Sequence, residues 1–225
     1  DASSLADQLD LFNPLARQVA MRHCMFVTFM AKPYAEESGS SIHLHQSVVD
    51  KKSGKNIFAR ENGEDSELFM NYIGGLQQYL PAVMPLLAPY TNSYNRFEAY
   101  MSAPTNVHWS RENRTVGLRV PGSGPDARRV ENRISGADVN PYLAIAASLV
   151  CGYIGMTEGV RPRAEYVGEG YHDRQSPLPS SLTDSVEAFK KSEAIRKFLG
   201  EAFVDTFAEL KRTEYEHRSS ILSPW

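Results

Sequence analysis

Three short segments in the middle of the sequence alternate between polar and apolar side chains: residues 41–48, 115–120 and 128–134. Successive side chains of a β-strand point to opposite faces of the sheet. Such alternation therefore predicts strands with one face on a core and one face that is polar. The polar set of the first segment is Ser41, His43, His45 and Ser47, and that of the third is Arg129, Glu131 and Arg133. Two imidazoles and two hydroxyls in one row indicate a site or a solvated face.

Helical patterns precede and follow these strands. Apolar residues recur at helical spacing, or form long runs, in residues 3–23, 66–90, 140–156, 182–198 and 200–218. The three prolines at positions 81, 85 and 89 are expected to bend or end the second of these helices. Strands grouped between flanking helices predict an α+β fold with an antiparallel β-sheet covered by helices on one side.

Two further segments are rich in β-branched and aromatic residues. They are MFVTFMAKP at 25–33, which Pro33 would end, and VHWS at 107–110, and both are expected to be strands. Residues 91–106 are long, polar and rich in small side chains, which predicts a mobile loop.

Composition excludes several classes of protein. The 225 residues are 42% hydrophobic with a net charge of −3, which supports a substantial core and gives no global reason to expect nucleic-acid or membrane binding. Cys24 and Cys151 lie in apolar helical contexts and are expected to be buried free thiols. We find neither a signal-peptide pattern nor an apolar run of transmembrane length, so we expect a soluble cytoplasmic protein.

Arginines are concentrated between residues 96 and 133. Seven arginines share this window with four acidic residues, although the chain as a whole is net negative. The arginines are Arg96, Arg111, Arg114, Arg119, Arg128, Arg129 and Arg133. Guanidinium groups match phosphate and carboxylate oxygens, so the cluster indicates a polyanionic ligand. Surface salt bridges are the plain alternative, and Glu131 between two arginines fits either an ion-pair ladder or a metal ligand. Nucleic acid is the least favoured partner, because lysine runs and interleaved aromatic residues are missing.

The motifs that contain these residues resemble the catalytic domain of the glutamine synthetase family. They are SGSSIHLHQS, TNSYNRF with SAPTN, RENRTVGLRVP, ARRVENRISGADVNPYLAIAA and LGEAFVDTFAELKRTEY, in order over nearly the whole chain. MAKPYAEESGSSIHLHQS and GKNIF are more similar to the γ-glutamylpolyamine (γ-glutamylputrescine) synthetase branch than to the ammonia-using enzymes. The resemblance implies a fold of the kind shared by glutamine synthetases and guanidino kinases. Guanidino kinases themselves lack the HxHxS row in this setting.

The resemblance also implies a reaction. The family forms γ-glutamyl phosphate from glutamate and ATP, uses Mg²⁺ or Mn²⁺, and lets an amine attack the acyl phosphate. The small-molecule substrates implied here are therefore glutamate, an amine and ATP. Phosphoryl transfer depends mainly on positioning and on neutralising charge that develops on oxygen, which explains the abundance of arginine.

Roles carried over by matching position are expectations of the resemblance. His43 and Glu131 match ligands of the metal near the ATP phosphates. The nucleotide-binding set is His45, Gln46, Ser47, Arg114, Arg119 and Arg129, with Arg114 also placed on the transferred phosphate as a catalytic residue. The glutamate-binding set is Gly39, Arg96 and Arg133.

One position departs from the ammonia-using enzymes. Ser102 stands where those enzymes carry a glutamate that closes over the site, holds ammonium and takes up a proton. Serine is smaller and does neither well, so a polyamine, monoamine or amino alcohol is expected in place of ammonium. Glu98, four residues earlier, is an alternative acid or base, although a loop glutamate is more often simply solvated.

A second departure concerns completeness. The family's other metal-binding carboxylates and its small N-terminal β-rich domain have no counterpart here, so residues 1–225 are interpreted as part of a catalytic domain. His43 and Glu131 alone would hold Mg²⁺ poorly, because Mg²⁺ prefers six oxygen ligands. The chain alone is expected to be inactive, whereas the full-length protein is expected to form a homo-oligomeric ring. The alternatives are an ammonia-using glutamine synthetase, a non-catalytic member of the family kept for assembly or binding, and an inert fragment of a family member.

Overall fold

The computed structural model describes residues 1–98, 103–171, 173 and 175–220. The helices are α1 (Ala2–Arg22), α2 (Glu67–Tyr79), α3 (Met84–Leu87), α4 (Thr91–Tyr94), α5 (Pro141–Glu158), α6 (Leu182–Lys191), α7 (Glu193–Leu199) and α8 (Glu201–Ser219). The strands are β1 (Leu44–Gln46), β2 (Trp109–Arg111), β3 (Leu118–Val120) and β4 (Val130–Asn132). The α+β class predicted from the sequence is confirmed. None of the helices in the described residues is long and apolar enough to cross a membrane.

The four strands form one sheet in the order β1-β4-β3-β2. β4 pairs antiparallel with both β1 and β3, as expected, but β2 and β3 are parallel. The chain leaves β2 through Glu112, whose φ of +53° lies in the left-handed region. It returns past Asn106, against which Gly117 packs so closely that a Cβ there would lie 2.3 Å from the Asn106 carbonyl oxygen. It therefore enters β3 at the end where β2 begins, and the expectation of a wholly antiparallel sheet is wrong for this pair.

Helices α2 and α5 cross with backbone against backbone. A Cβ on Gly155 would lie 2.2 Å from the Asn71 carbonyl oxygen and 2.6 Å from the Gly75 Cα atom. A Cβ on Gly75 would in turn lie 2.2 Å from the Cys151 carbonyl oxygen. Separations below 3 Å leave no room for a side chain, so the two glycines fix how closely these helices approach.

The sheet is joined to α5 by a chain of buried hydrogen bonds. Asn132 of β4 donates from Nδ2 to the Ser148 hydroxyl at 3.0 Å, and that hydroxyl donates to Gln46 Oε1 of β1 at 2.6 Å. All three side chains are buried. Because hydrogen bonds are directional, this relay fixes the position of β1 and β4 over the helix, and with it the polar face on the other side.

The substitution Ser148→Ala is expected to lower the free energy of unfolding by about 2 kcal/mol. The physical reason is that it leaves the Asn132 amide and the Gln46 carbonyl oxygen without their partner in a dry environment. Urea denaturation monitored by circular dichroism would measure the change. Ser219→Ala, on the exposed end of α8, is the matched control and is expected to change stability by less than about 0.5 kcal/mol.

The strand predicted at residues 25–33 is not formed. Residues 25–30 carry no regular secondary structure, and no other described segment pairs with them. A β-strand is stabilised only when its backbone groups pair with a neighbour, so a β-favouring composition alone does not produce one. Cys24, just before this segment, is exposed, contrary to the expectation of burial, whereas Cys151 is buried as expected.

An apolar surface runs along α1 and into residues 25–30. Its exposed members include Leu11, Phe12, Leu15, Val19, Met21, Met25 and Phe26. Phe12 makes an edge-to-face contact with Phe29 at a ring-centroid distance of 6.0 Å, so the helix and the following segment form one continuous patch. A patch of this kind is unusual on the free surface of a protein and indicates a surface that associates.

Candidate active site

Strand β1 presents the polar row that the alternation predicted. Ser41, His43, His45 and Ser47 are exposed, whereas Leu44 and Gln46 are buried on the opposite side. The Gln46 side chain accepts from Ser148 in the core, so it does not join the face that carries the histidines. A side-chain contact between Gln46 and a nucleotide on that face is therefore inconsistent with this structure.

Glu131 is the centre of the polar face. Across the sheet it lies directly opposite His45 on one side and Arg119 on the other. Its Oε1 atom accepts from Arg133 Nη1 at 2.6 Å and lies 3.0 Å from His43 Nδ1, while Oε2 accepts from Arg119 Nη1 at 2.8 Å. The residue is only 2% exposed. One buried carboxylate thus holds two guanidinium groups and an imidazole in fixed positions.

The surroundings of Glu131 favour its charged form. Burial alone would raise the pKa of this carboxyl. The hydrogen bonds from His43 and Arg119, together with the charge and hydrogen bond of Arg133, outweigh burial and hold its pKa well below the usual range. Glu131 is therefore a fixed negative charge at neutral pH.

His45 and Arg129 extend the face toward solvent. Arg129 donates from Nε to His45 Nδ1 at 3.2 Å, which requires the His45 proton to be on Nε2. Partial burial lowers the pKa of His45, the nearby charge of Glu131 raises it, and the positive charges of Arg129 and Arg119 lower it further, so the pKa lies below its ordinary value. His45 is therefore neutral at physiological pH, and it does not offset the positive charge of Arg129.

Arg119 bridges two carboxylates. One end of its guanidinium group contacts Glu131, and the other donates from Nη2 to Glu112 Oε2 at 2.7 Å. Glu112 also accepts from the backbone N–H of Gly122. Arg114, in the loop between β2 and β3, is exposed and makes no hydrogen bond to another described residue. It lies close enough for its charge to lower the pKa of Glu112, after the larger effects of the Arg119 and Gly122 hydrogen bonds.

Arg96 is placed differently from the expectation. It was predicted to bind glutamate, but its side chain is fully buried. Its guanidinium group donates to the Ser41 hydroxyl at 2.6 Å and to the carbonyl oxygens of Ile134 and Ser135 at 2.5 and 3.3 Å. Desolvation lowers the pKa of Arg96 to about 10. In this structure Arg96 supports the site from beneath and presents no donor to its open surface.

The remaining predicted residues lie at the edge of the site or beyond the described chain. Gly39 packs on Arg96, where a Cβ would lie 2.3 Å from Arg96 Cγ. Glu98 is exposed and is the last described residue before the gap in the loop. Ser102 lies outside the described residues. The roles predicted for Gly39, Ser47, Glu98 and Ser102 remain predictions, as do those of Arg114, Arg119, Arg129 and Arg133.

The residues present do not complete a magnesium site. His43 and Glu131 lie together, but both Glu131 oxygens already accept hydrogen bonds from guanidinium groups. In the described part of the chain no group of three His, Cys, Asp or Glu side chains converges in a way that could hold a metal ion. Mg²⁺ requires near-octahedral oxygen ligands, and one occupied carboxylate does not supply them. The prediction of His43 and Glu131 as metal ligands is therefore not met by these residues alone.

Sequence reasoning missed three residues that organise the site: Glu112, Lys32 and Asn92. Glu112 neutralises one end of Arg119, and its left-handed backbone conformation has no signature in a single sequence. Lys32 and Asn92 are joined by hydrogen bonds across 60 positions of the chain. No local pattern encodes such a contact, so only the fold reveals it.

Comparison with known proteins places the chain in one family. Residues 1–225 match the family described as glutamine synthetase, catalytic domain. The chain is 38% identical to the gamma-glutamylputrescine synthetase PuuA of Escherichia coli over 89% of its length and 42% of that protein. It is 36% identical to the type-1 glutamine synthetase 2 of Dictyostelium discoideum over 98% of its length and 43% of that protein. A structure of GmaS without ligand superposes with a TM-score of 0.88 at 32% identity, over all of this chain and 52% of that one. The chain thus spans about half the length of the relatives it matches.

Proposed function

The chain belongs to the glutamine synthetase family, and on that basis we propose that it forms part of the catalytic domain of an ATP-dependent glutamate–amine ligase. In the proposed reaction a γ-carboxylate oxygen of glutamate attacks the γ-phosphorus of ATP and releases ADP. The amine nitrogen then attacks the γ-carbonyl carbon of the acyl phosphate. Inorganic phosphate leaves, the nitrogen loses a proton, and a γ-glutamyl amide is formed.

The observation that carries this proposal is the arginine face around Glu131. Arg119, Arg129 and Arg133 are brought onto one face of the sheet by β3, β4 and the residues beside them. Phosphoryl transfer spreads charge over the equatorial oxygens of the transferred group, and preorganised guanidinium groups stabilise that charge. The Glu131 carboxylate keeps Arg119 and Arg133 oriented, so the donors are in place before a substrate arrives.

ATP and a divalent metal belong to this proposal as expectations of the family. A bound Mg²⁺ or Mn²⁺ would supply positive charge that offsets the negative charge developing on the transferred phosphoryl group. Because the described residues of this chain do not complete such a site, we propose that carboxylates outside residues 1–225 complete it, which agrees with the chain covering about half of each relative. We therefore propose that residues 1–225 are part of the catalytic domain, and that assembly into a ring belongs to the longer protein.

We propose that the amine substrate is larger than ammonia. Sequence identity does not distinguish one amine substrate from another. A gamma-glutamylputrescine synthetase and a type-1 glutamine synthetase are nearly equally similar to this chain. The support for a larger amine is Ser102, which supplies neither the charge to hold ammonium nor the bulk to close the site. Resemblance of the motifs around His43 to the polyamine branch points the same way.

The test is phosphate release from ATP by the complete natural protein with glutamate and Mg²⁺. Ammonium, putrescine, spermidine and ethanolamine are supplied in turn, and the γ-glutamyl product is identified by mass spectrometry. We expect turnover with at least one of the larger amines and little with ammonium. Ser102→Glu is expected to shift the ratio of kcat/KM values toward ammonium by at least about tenfold. Ser219→Glu, far along α8, is the matched control and should leave the ratio unchanged.

Each outcome has a distinct meaning. Robust ammonium-dependent glutamine formation would contradict the proposed amine class and retain the ligase. If no phosphate were released with any of the amines, the result would favour a non-catalytic member of the family. Activity that requires a longer polypeptide than residues 1–225 would support the proposal that the metal site is completed outside this chain.

A further inference from the structure

The loop that carries Gly39 is attached to the rest of the site at its root. The side chain of Asn92, in α4, makes two hydrogen bonds to the backbone of Lys32. Lys32 N donates to Asn92 Oδ1, and Asn92 Nδ2 donates to the Lys32 carbonyl oxygen, both at 2.9 Å. A side chain that satisfies both backbone groups of one residue replaces a rung of β-sheet pairing. The two segments are therefore joined in one fixed register.

The Lys32 side chain turns inward and closes the same loop. It is 5% exposed, and its ammonium group donates to the carbonyl oxygen of Glu37 at 2.6 Å. Among the described residues no carboxylate lies within ion-pair distance of it. A buried charge is costly to desolvate, so its use to hold a single backbone carbonyl indicates that the loop conformation matters.

The other end of the loop rests on Arg96, four residues after Asn92 in the chain. Ser40 N donates to the Ala31 carbonyl oxygen at 2.8 Å, and Arg96 donates to the Ser41 hydroxyl at 2.6 Å. Gly39 lies in direct contact with the aliphatic part of Arg96, with no space for a Cβ. Asn92, Lys32 and Arg96 thus hold the two ends of one loop from one side.

We infer that Asn92 is a positioning residue for glutamate, which it influences through Lys32 and the backbone at Gly39. This inference rests on the proposed function and on the place beside glutamate that the family resemblance implies for Gly39. Of the residues proposed to contact the nucleotide, His45 and Ser47 lie in or just after β1, and Arg129 lies just before β4. None of them shares a hydrogen bond with Asn92 or Lys32. Loosening the root of the loop is therefore expected to affect glutamate and to spare ATP.

The test is steady-state kinetics of the complete natural protein with Asn92→Ala. We expect the KM for glutamate to rise about tenfold, with kcat and the KM for ATP changed by less than about twofold. Asn62→Ala is the matched control, because Asn62 also makes two hydrogen bonds, to Glu64, but in an exposed turn away from the loop. It should leave all three parameters unchanged. Lys32→Met, which keeps the aliphatic volume and removes the donor, should resemble Asn92→Ala.

The outcomes separate this inference from the proposed function. An unchanged KM for glutamate, or a loss shared equally by glutamate, ATP and kcat, would overturn the positioning role while the ligase assignment stands. If the unsubstituted protein forms no γ-glutamyl amide, the proposed function fails, and titration calorimetry with glutamate then decides the inference. Weaker glutamate binding by Asn92→Ala supports it, and equal binding or none overturns it. If Asn92→Ala does not fold, Asn92→Asp, which keeps the acceptor for Lys32 N and loses the donor, should give an intermediate rise.

Discussion

Replacing Glu131 by glutamine is expected to lower the free energy of unfolding by about 3–5 kcal/mol. Glutamine keeps the size of the side chain but removes the charge that Arg119 and Arg133 share. Arg133, the more buried of the two, would then remain desolvated without a counter-ion among the described residues, and Arg119 would keep only its pair with Glu112. Denaturant titration at neutral pH in chelator-containing buffer measures the effect without a contribution from metal.

The matched control is Glu61→Gln. Glu61 forms an ion pair with Lys55 at 3.5 Å, but its side chain is 94% exposed. Exposed pairs contribute little, so this substitution should change stability by less than about 1 kcal/mol. If Glu131→Gln were as mild as the control, the carboxylate would not be the organising charge of the site.

The stabilising interactions of Glu131 should also appear in the dependence of protein stability on pH. The folded pKa of Glu131 lies below its ordinary value of about 4.3, so its contribution is complete above that value and is lost as pH falls toward the folded pKa. The difference in stability between the unsubstituted protein and Glu131→Gln is therefore expected to be constant above about pH 5 and to shrink below about pH 4.

The second large effect is expected from Gly155→Ala. The new methyl group would overlap the Asn71 carbonyl oxygen and the Gly75 Cα atom, which are backbone and cannot turn aside as a side chain would. Overpacking of this kind costs about 3 kcal/mol, or prevents folding where the helices cannot separate. Because α5 also carries Ser148, separation of the helices would shift the sheet and the polar face above it.

Gly124→Ala provides the comparison for this second prediction. Gly124 has a φ of −63°, and nothing lies within 4 Å of the position where a Cβ would be. Alanine should therefore be neutral there, or stabilising by up to about 1 kcal/mol, because it restricts the unfolded chain. Thermal unfolding of the two variants under the same conditions gives the contrast, and equal stability would show that α2 and α5 can move apart at little cost.

The sequence predicted the polar face better than it predicted the sheet. Alternation placed Ser41, His43, His45 and Ser47 on one side and Gln46 on the other, as observed. Period-two patterns reflect burial, which is a local consequence of which face meets the core. The parallel pairing of β2 with β3 depends instead on the path of residues 112–117. That path includes a positive φ angle at Glu112. Alternation carries no information on that path.

The two arginines placed by resemblance on glutamate illustrate a second limit. Arg133 lies on the polar face beside Glu131, whereas Arg96 lies beneath the loop that carries Gly39. A motif identifies a position in the chain, but which atoms the guanidinium group meets depends on neighbours distant in sequence. For Arg96 these neighbours are Ser41 and the carbonyl groups at 134 and 135.

The apolar surface of α1 and residues 25–30 makes the free energy of unfolding of this chain depend on what covers that surface. A surface that covers this patch and binds only the folded state adds RT ln(1 + [L]/Kd) to the free energy of unfolding, where L is the covering partner. Where copies cover one another, the midpoint of unfolding rises with protein concentration. Where another part of the same polypeptide covers the patch, the midpoint is independent of concentration. A dilution series of unfolding midpoints therefore reports how this surface is covered.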